Sequence, residues 1–338
     1  YSREWRAVHD PHVQQPLPGL LPALQQDTPL SLRQLAGFLR DPVAAFFAQR
    51  LKVHFDDNAL AGCDDEPFTL DGLENWQYQD DLSQALKGWV EQHYDPQQAA
   101  AQLQDNLQRL QREGKLPLAG FGALTASRLG DGLPELLARY HASLQEWHLP
   151  LGGQVELHCA AATAAPGLAD WLGGLRRNAR GELALLQLDS KKLCSDSGYR
   201  WHNLIRPWVR HLALQLGGEP CSTLLVSLSG DVRLRPLPRQ AAELLLQDLL
   251  EAWAEGMRAP LPLACKSAFA WLEEAAGDPG KAAEAARKAF AGDYSRRGEV
   301  EESTALRRTY ADFDALCADG RFAALAERLY GPLFQHLS

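Results

Sequence analysis

The sequence predicts an α/β or α+β domain with helical additions, and three observations carry that prediction. Residues 29–150 show mostly helix-period apolar patterns. After Gly152-Gly153 the period switches to the two-residue alternation of strands. Those strands are then interleaved with, and followed by, helical segments. A chain of 338 residues buries roughly three quarters of its unfolded surface, so its core needs no covalent staples.

Residues 1–28, with Pro11, Pro16, Pro18 and Pro22, read as an entry linker laid over a surface. The chain opens on Tyr1-Ser2-Arg3-Glu4-Trp5, without initiator Met or signal-peptide apolar region, and reads as a fragment of a longer protein. Ser31 and Gln34 have capping-box spacing and start a helix carrying Leu32, Leu35, Phe38 and Leu39 on one face. That helix should stop before Asp41-Pro42, because Pro disfavours the α conformation in the residue before it. Asp41 then caps a second helix through Val43, Phe46, Phe47 and Leu51, with Pro42 in its first turn.

Residues 56–80 are acidic and irregular, and helices follow near 80–93, 96–113 and 132–147. The glycines and proline of 114–122 predict a fixed loop. Strands are expected at 154–158, 168–172 and 183–188, with the basic turn 176–181 between the last two. A helix over about 203–216 presents Leu204, Ile205, Trp208, Leu212 and Leu216, with Pro207 in its first turns. A β-hairpin over 224–234 and a long helix over 239–256 come next, and the remainder is helical and Ala-rich. The organisation is thus a linker (1–28), a helical part (29–150) and an α/β core of the same domain with C-terminal helices (151–338), with no internal repeat.

The six cysteines contain no CxxC pair, which disfavours zinc and iron–sulfur sites and leaves buried cytosolic thiols. No stretch has the ~18–20 uninterrupted apolar residues of a membrane span, so no membrane partner is expected and the location is read as cytoplasmic. The net charge of −9 argues against a free-standing DNA binder, since affinity for DNA comes mainly from Lys and Arg neutralising phosphates. A local basic strip, or one wall of a channel completed by partners, remains compatible with it.

Three stretches together resemble the RecC family. Ser31 to Leu51 is similar to the Ser…Cys-Pro…Phe-Phe…Leu helix pair that opens RecB-like nuclease domains, with Asp41 in the place of the cysteine. Gly114-Lys115-Leu116-Pro117-Leu118-Ala119-Gly120-Phe121-Gly122 resembles a Gly-x-Leu-Pro…Phe-Gly loop. The third stretch combines Glu255 to Leu261 with the later Tyr294…Arg297-Gly298-Glu299. The resemblance implies a PD-(D/E)xK (RecB-like) nuclease-type core sheet flanked by helices. It also implies partnership with RecB and RecD subunits, and with DNA within that complex, during double-strand-break repair and recombination. Mg and ATP would be used by partner subunits, with no cofactor for this chain. The family's C-terminal region is associated with docking RecD, and RecC also supplies the element that splits the duplex. The 222–235 hairpin is one guess for that element.

A PD-(D/E)xK site needs two acidic groups for Mg²⁺, a hard cation that demands oxygen ligands, and a lysine beside the second. Under the resemblance, Gly167-Leu168-Ala169-Asp170 gives the first element, with Asp170 in the metal-ligand place. In the strand 181–189, Gln187 takes the acid's place and Asp189 the lysine's. Two unit charges ~4 Å apart at an effective dielectric of ~20 interact by about 4 kcal/mol. Exchanging attraction for repulsion therefore costs roughly a thousandfold in rate. The vestigial positions are Asp170, Gln187 and Asp189, and no residue is expected to be catalytic or to hold a metal. A rival register remains open: Asp189-Ser190-Lys191 is literally an Asp-x-Lys, and Asp170, Asp189 and Lys191 could rebuild a metal site. That would make the chain an active Mg-dependent exonuclease domain of the RecB or AddB type.

Arg176, Arg177 and Arg180 crowd one turn, which is either a solvated tip or a contact for phosphate or an acidic partner. Arg200, Trp201 and Arg206 mix basic and aromatic character as single-strand binders do, whereas Trp208 reads as core. His158 and His211, on apolar stretches, read as packing residues. Glu301 and Glu302 read as a solvated face. Walker A, GxGxxG, nucleophile-elbow and HExxH patterns are not found in the sequence.

Overall fold

The computed structural model describes residues 19–26, 28–55, 70, 72–117, 119–161, 165–196, 198–294 and 296–337. Most of the expected linker and residues 56–69 therefore lie outside the described residues.

Helix α1 (Leu32–Arg40) starts as its sequence dictates. The Ser31 hydroxyl accepts from the Gln34 N–H, and the Gln34 side chain accepts from the Ser31 N–H at 2.9 Å. Asp41 ends it and caps α2 (Pro42–Ala45), accepting from the Ala44 N–H at 2.8 Å. A π turn over Phe46–Arg50 then completes the second helix.

Helices α3 (Gly72–Gln92), α4 (Pro96–Arg112), α5 (Ala119–Gly130) and α6 (Leu133–Glu146) form one packed layer. Two expectations need correction here. Helix α3 begins at 72, inside the stretch read as irregular. The residues 119–122, read as loop, are the first turn of α5. Glycine is required there by close approach: a Cβ on Gly122 would lie 2.2 Å from the Pro117 carbonyl oxygen.

The strands follow as β1 (Leu149–Pro150), β2 (Val155–Cys159), β3 (Leu168–Leu172), β4 (Leu175–Arg177) and β5 (Leu183–Asp189). After the short ladder of β6 (Cys194–Ser195) and β7 (Gly198–Tyr199) comes helix α7 (Trp201–Leu214), then β8 (Cys221–Ser227) and β9 (Gly230–Leu234). Among the described residues the central sheet has five strands in the order β1-β4-β5-β8-β9, with β2 and β3 forming a separate antiparallel pair. Among the described strands of that sheet only β5 and β8 run parallel, joined by the crossover through α7. Helix α7 starts two residues earlier than expected, which moves Pro207 from the first turns into its interior.

Side chains alternate across β5 and so build two cores. Leu186 and Leu188, with Val226 of β8, pack on the α3–α6 layer. Leu185 and Leu225 face α1, α7 and the long helix α8 (Arg239–Gly256). Gln187 and Asp189 share the face of Leu185.

The 222–235 hairpin is built from an interior strand and an edge strand of the central sheet. Strand β8 lies inside the sheet between β5 and β9. Its tip is also held down by Arg139, which pairs with Asp231 and donates to the Ser227 carbonyl at 2.6 Å.

Beyond α8, helices α9 (Cys265–Ala275) and α10 (Pro279–Ala291) pack together, and shorter helices end in α15 (Gly331–Leu337). Between them Gly292–Asp293 and Arg296–Arg297 pair as a small hairpin not expected from sequence. A Cβ on Gly298 would meet the Ala291 carbonyl carbon at 2.3 Å, which explains a glycine in the Arg297-Gly298-Glu299 stretch. Among the described residues, the five cysteines are free thiols. Also among them, no helix is long and apolar enough to cross a membrane.

Candidate functional site

Asp170, Gln187 and Asp189, the positions singled out in the sequence, come from β3 and β5, with α1 and α7 beside them. Asp170 lies on β3 opposite Leu157. Its Oδ2 accepts from the Leu32 N–H at 2.9 Å, and its Oδ1 accepts from the Trp171 N–H at 2.8 Å. The carboxylate is thus engaged by the first orphan donor of α1, at the positive end of that helix's dipole, and by a backbone N–H of its own strand. Replacing Asp170 with alanine should cost about 1–2 kcal/mol of stability, in the range of a lost N-cap, read as a lowered urea midpoint.

Gln187 and Asp189 stand two residues apart near the end of β5. The Gln187 Oε1 accepts from the Arg210 guanidinium at 3.3 Å. Arg210 is half-buried in α7, and burial lowers its pKa, with Arg206 acting the same way. The charges of Asp170 and Asp189 oppose both and favour the guanidinium. Asp189 is held above the ordinary carboxylate range, chiefly by burial, against the N–H that Lys191 donates to it at 2.9 Å.

The rival register places Lys191 beyond the end of the strand. Its Nζ lies 5.6 Å from the centre of the Trp76 ring, and burial lowers its pKa while Asp189 opposes the shift. The intervening Ser190 donates to Asp80 of α3 at 2.7 Å. Among the described residues, no group of three or more His, Cys, Asp or Glu side chains is placed to hold a metal ion. The residues at this centre do not fit Mg²⁺. One carboxylate caps a helix, the second position is an amide, and a guanidinium lies within electrostatic reach of both acids.

The other candidates divide by burial. Trp201 is buried at 7% exposure, its ring stacked on Phe269 at 5.5 Å and its N–H donated to Glu273 at 2.8 Å, so it has no free face for a base. Arg200 and Arg206 are exposed. Arg176 is turned inward, its Nε donating to the Trp147 carbonyl at 2.5 Å. Arg177 donates to the Gly181 carbonyl at 2.8 Å and pairs with Glu219 at 2.6 Å. Arg180 is exposed at the turn.

His211 is fully buried core, as expected, and Trp208 is buried with it. His158 is not a packing residue. Leu157 and Cys159 take the inner face of β2, so His158 points outward and pairs with Glu156 at 2.8 Å. Sequence reasoning missed Trp76 and Asp80, which reach this centre from α3. Their only signal is an aromatic and an acid one helical turn apart.

Comparison with known proteins finds relatives along most of the chain. A family model described as the RecC C-terminal domain matches residues 27–276. The RecBCD enzyme subunit RecC of Escherichia coli (strain K12) is 30% identical over 285 residues, covering 81% of this chain and 22% of that protein. The subunit of the same name from Mycolicibacterium smegmatis is 30% identical over 278 residues, covering 79% and 22%. That of Haemophilus influenzae is 31% identical over 112 residues, covering 33% and 9%. The chain spans about a fifth of the length of the E. coli and M. smegmatis relatives. On the match across most of its length, this chain belongs to the RecC C-terminal domain family.

Proposed function

We propose that this chain is a non-catalytic module of a RecC-type subunit. In this reading it has a PD-(D/E)xK-type core with a closed nuclease centre, and it contributes to assembly with RecB and RecD and to the processing of DNA ends in repair, in the cytoplasm. One observation supports the reading: the Arg210 guanidinium donates to Gln187 at 3.3 Å and its charge is favoured by Asp170 and Asp189, the positions that would, in this reading, surround a divalent cation. An internal cation of this kind satisfies the acids without giving water a Lewis acid. The fold supports the same reading, because α1, β3, β5 and α7 bring the vestigial positions of two strands to one place.

Two assays on the purified chain test it together. Oligonucleotides incubated with Mg²⁺ or Mn²⁺ should remain uncut, and a tagged chain should retain a RecD-type subunit. Divalent-dependent digestion that is lost in Lys191→Ala would replace this reading with the active exonuclease. An intact substrate with no retained RecD would remove the assembly role.

A further inference from the structure

A wide cleft opens at the other end of the sheet, at the start of β5 rather than its finish. Seven strand residues separate the two places, about 20 Å at the strand rise. The cleft has a volume of about 660 Å³, and Arg177 and Arg180 line one lip while Arg233 and Arg235 line the other. These lips belong to β4 and β9, three strand spacings apart in the sheet order, roughly 14 Å. Glu182 and Glu219 also line it.

The charges do not cancel. Glu219 is engaged by Arg177 at 2.6 Å, and Glu182 accepts from the neutral Asn178 amide at 2.5 Å and keeps its charge, so four guanidinium groups face two carboxylates. Arg180, Arg233 and Arg235 are exposed, and among the described residues no carboxylate pairs with any of them. A chain with a net charge of −9 thus concentrates uncompensated guanidinium groups in one concave place. The lining includes Leu183, Pro220 and Pro236 but no aromatic side chain. Docked proteins draw their energy from large apolar or aromatic anchors in desolvated pockets, and none is offered here. Arginine forks on a polar wall suit phosphate oxygens. A gap of this width is enough for the sugar–phosphate backbone of one strand to lie between the two lips, with guanidinium groups reaching it from both sides.

We infer that this arginine cleft binds the phosphates of a single nucleic-acid strand, a contact separate from the closed centre around Arg210. The inference rests on the RecC-type reading only for nucleic acid as the polymer.

The test is anisotropy of a labelled single-stranded oligonucleotide with the full chain, in EDTA, over a range of salt. The triple variant R180A/R233A/R235A should bind roughly tenfold or more weakly at low salt. Its log K against log salt slope should be shallower by about 2, from ~0.7 for each lost single-strand phosphate contact. The triple lysine variant, which keeps the charge, should retain most of the slope, and an unchanged thermal midpoint shows that both fold. Equal affinity and slope in wild type and the alanine variant would overturn the inference. So would binding of a poly-glutamate peptide, lost in the alanine variant, by a chain that ignores the oligonucleotide. Because EDTA removes divalent cations, failure here is distinct from failure of the non-catalytic reading, which shows as cleavage in Mg²⁺.

Discussion

Replacing Glu299 with alanine is expected to lower the unfolding free energy by roughly 4 kcal/mol, from the loss of several charge-assisted hydrogen bonds at a buried site. The carboxylate lies at the N-terminus of α9 and accepts from the Lys266 N–H at 2.9 Å, the Ser267 N–H at 2.8 Å and the Ser267 hydroxyl at 2.9 Å. Burial pushes its pKa up, and these donors pull the other way. Alanine would leave the α9 donors of Lys266 and Ser267 without their acceptor at a largely buried site. Glu299→Gln keeps an acceptor oxygen but adds an unmatched amide N–H₂, and should lose about half as much. Urea unfolding with an unchanged m-value checks both. A Glu299→Ala variant within ~1 kcal/mol of wild type would show that the carboxylate caps nothing.

Acid should destabilise the chain as pH falls from about 6.5 toward 4, through buried histidines. Burial holds His211 down at about 4, with His336 acting in the same direction. The Nε2 of His211 lies 2.9 Å from the Arg235 carbonyl, which can only accept, so that nitrogen carries the proton. Nδ1 is then left to accept from Thr223 at 3.0 Å. The Nε2 of His336 accepts from the Arg235 N–H at 3.1 Å and must be unprotonated to do so. The two neutral rings therefore tie α7 and α15 to the backbone of Arg235, just past the end of β9.

With its folded pKa depressed, His211 contributes stability that is fully present above the unfolded value near 6.5. It is lost as pH falls toward about 4, because the unfolded chain binds the proton first. For this fully buried ring the loss amounts to roughly 3 kcal/mol at about 1.4 per unit. His202 adds to it, held at about 3 by burial and then by the charges of Lys266, Arg40, Arg200 and Lys191. Stability measured at pH 7 and pH 4.5 should differ by several kcal/mol, and His211→Gln should shrink that difference while lowering stability at pH 7. An unaltered pH slope in His211→Gln would contradict the assignment.

The features legible in the sequence are those whose causes are local. The Ser31–Gln34 box, the Asp41-Pro42 corner, the alternation of β2, β3 and β5, and the β8–β9 hairpin each arise within a few residues, and the structure has each of them. Features set by partners far along the chain were not legible. Asp170 caps a helix 138 positions away. Trp201 is buried by Phe269 and Glu273, roughly seventy residues later, so its basic neighbours gave a misleading picture of an open ring. The two histidines show the same limit. Both lie among apolar residues in the sequence, yet His211 is inside and His158 outside, because the burial phase of β2 is fixed by tertiary packing rather than composition. The arginine cleft joins Arg177 and Arg180 to Arg233 and Arg235 through strand order alone.

The claim that Arg210 stands in for a divalent cation is tested most directly by Mn²⁺ titration of the purified chain, followed by electron paramagnetic resonance of the free ion. The account predicts that millimolar Mn²⁺ stays free at the β3–β5 centre, with the same titration for wild type and Asp170→Asn. A stoichiometric Mn²⁺ site that disappears in Asp170→Asn would contradict it, because the acids would then be open to a metal and the guanidinium would not be their cation.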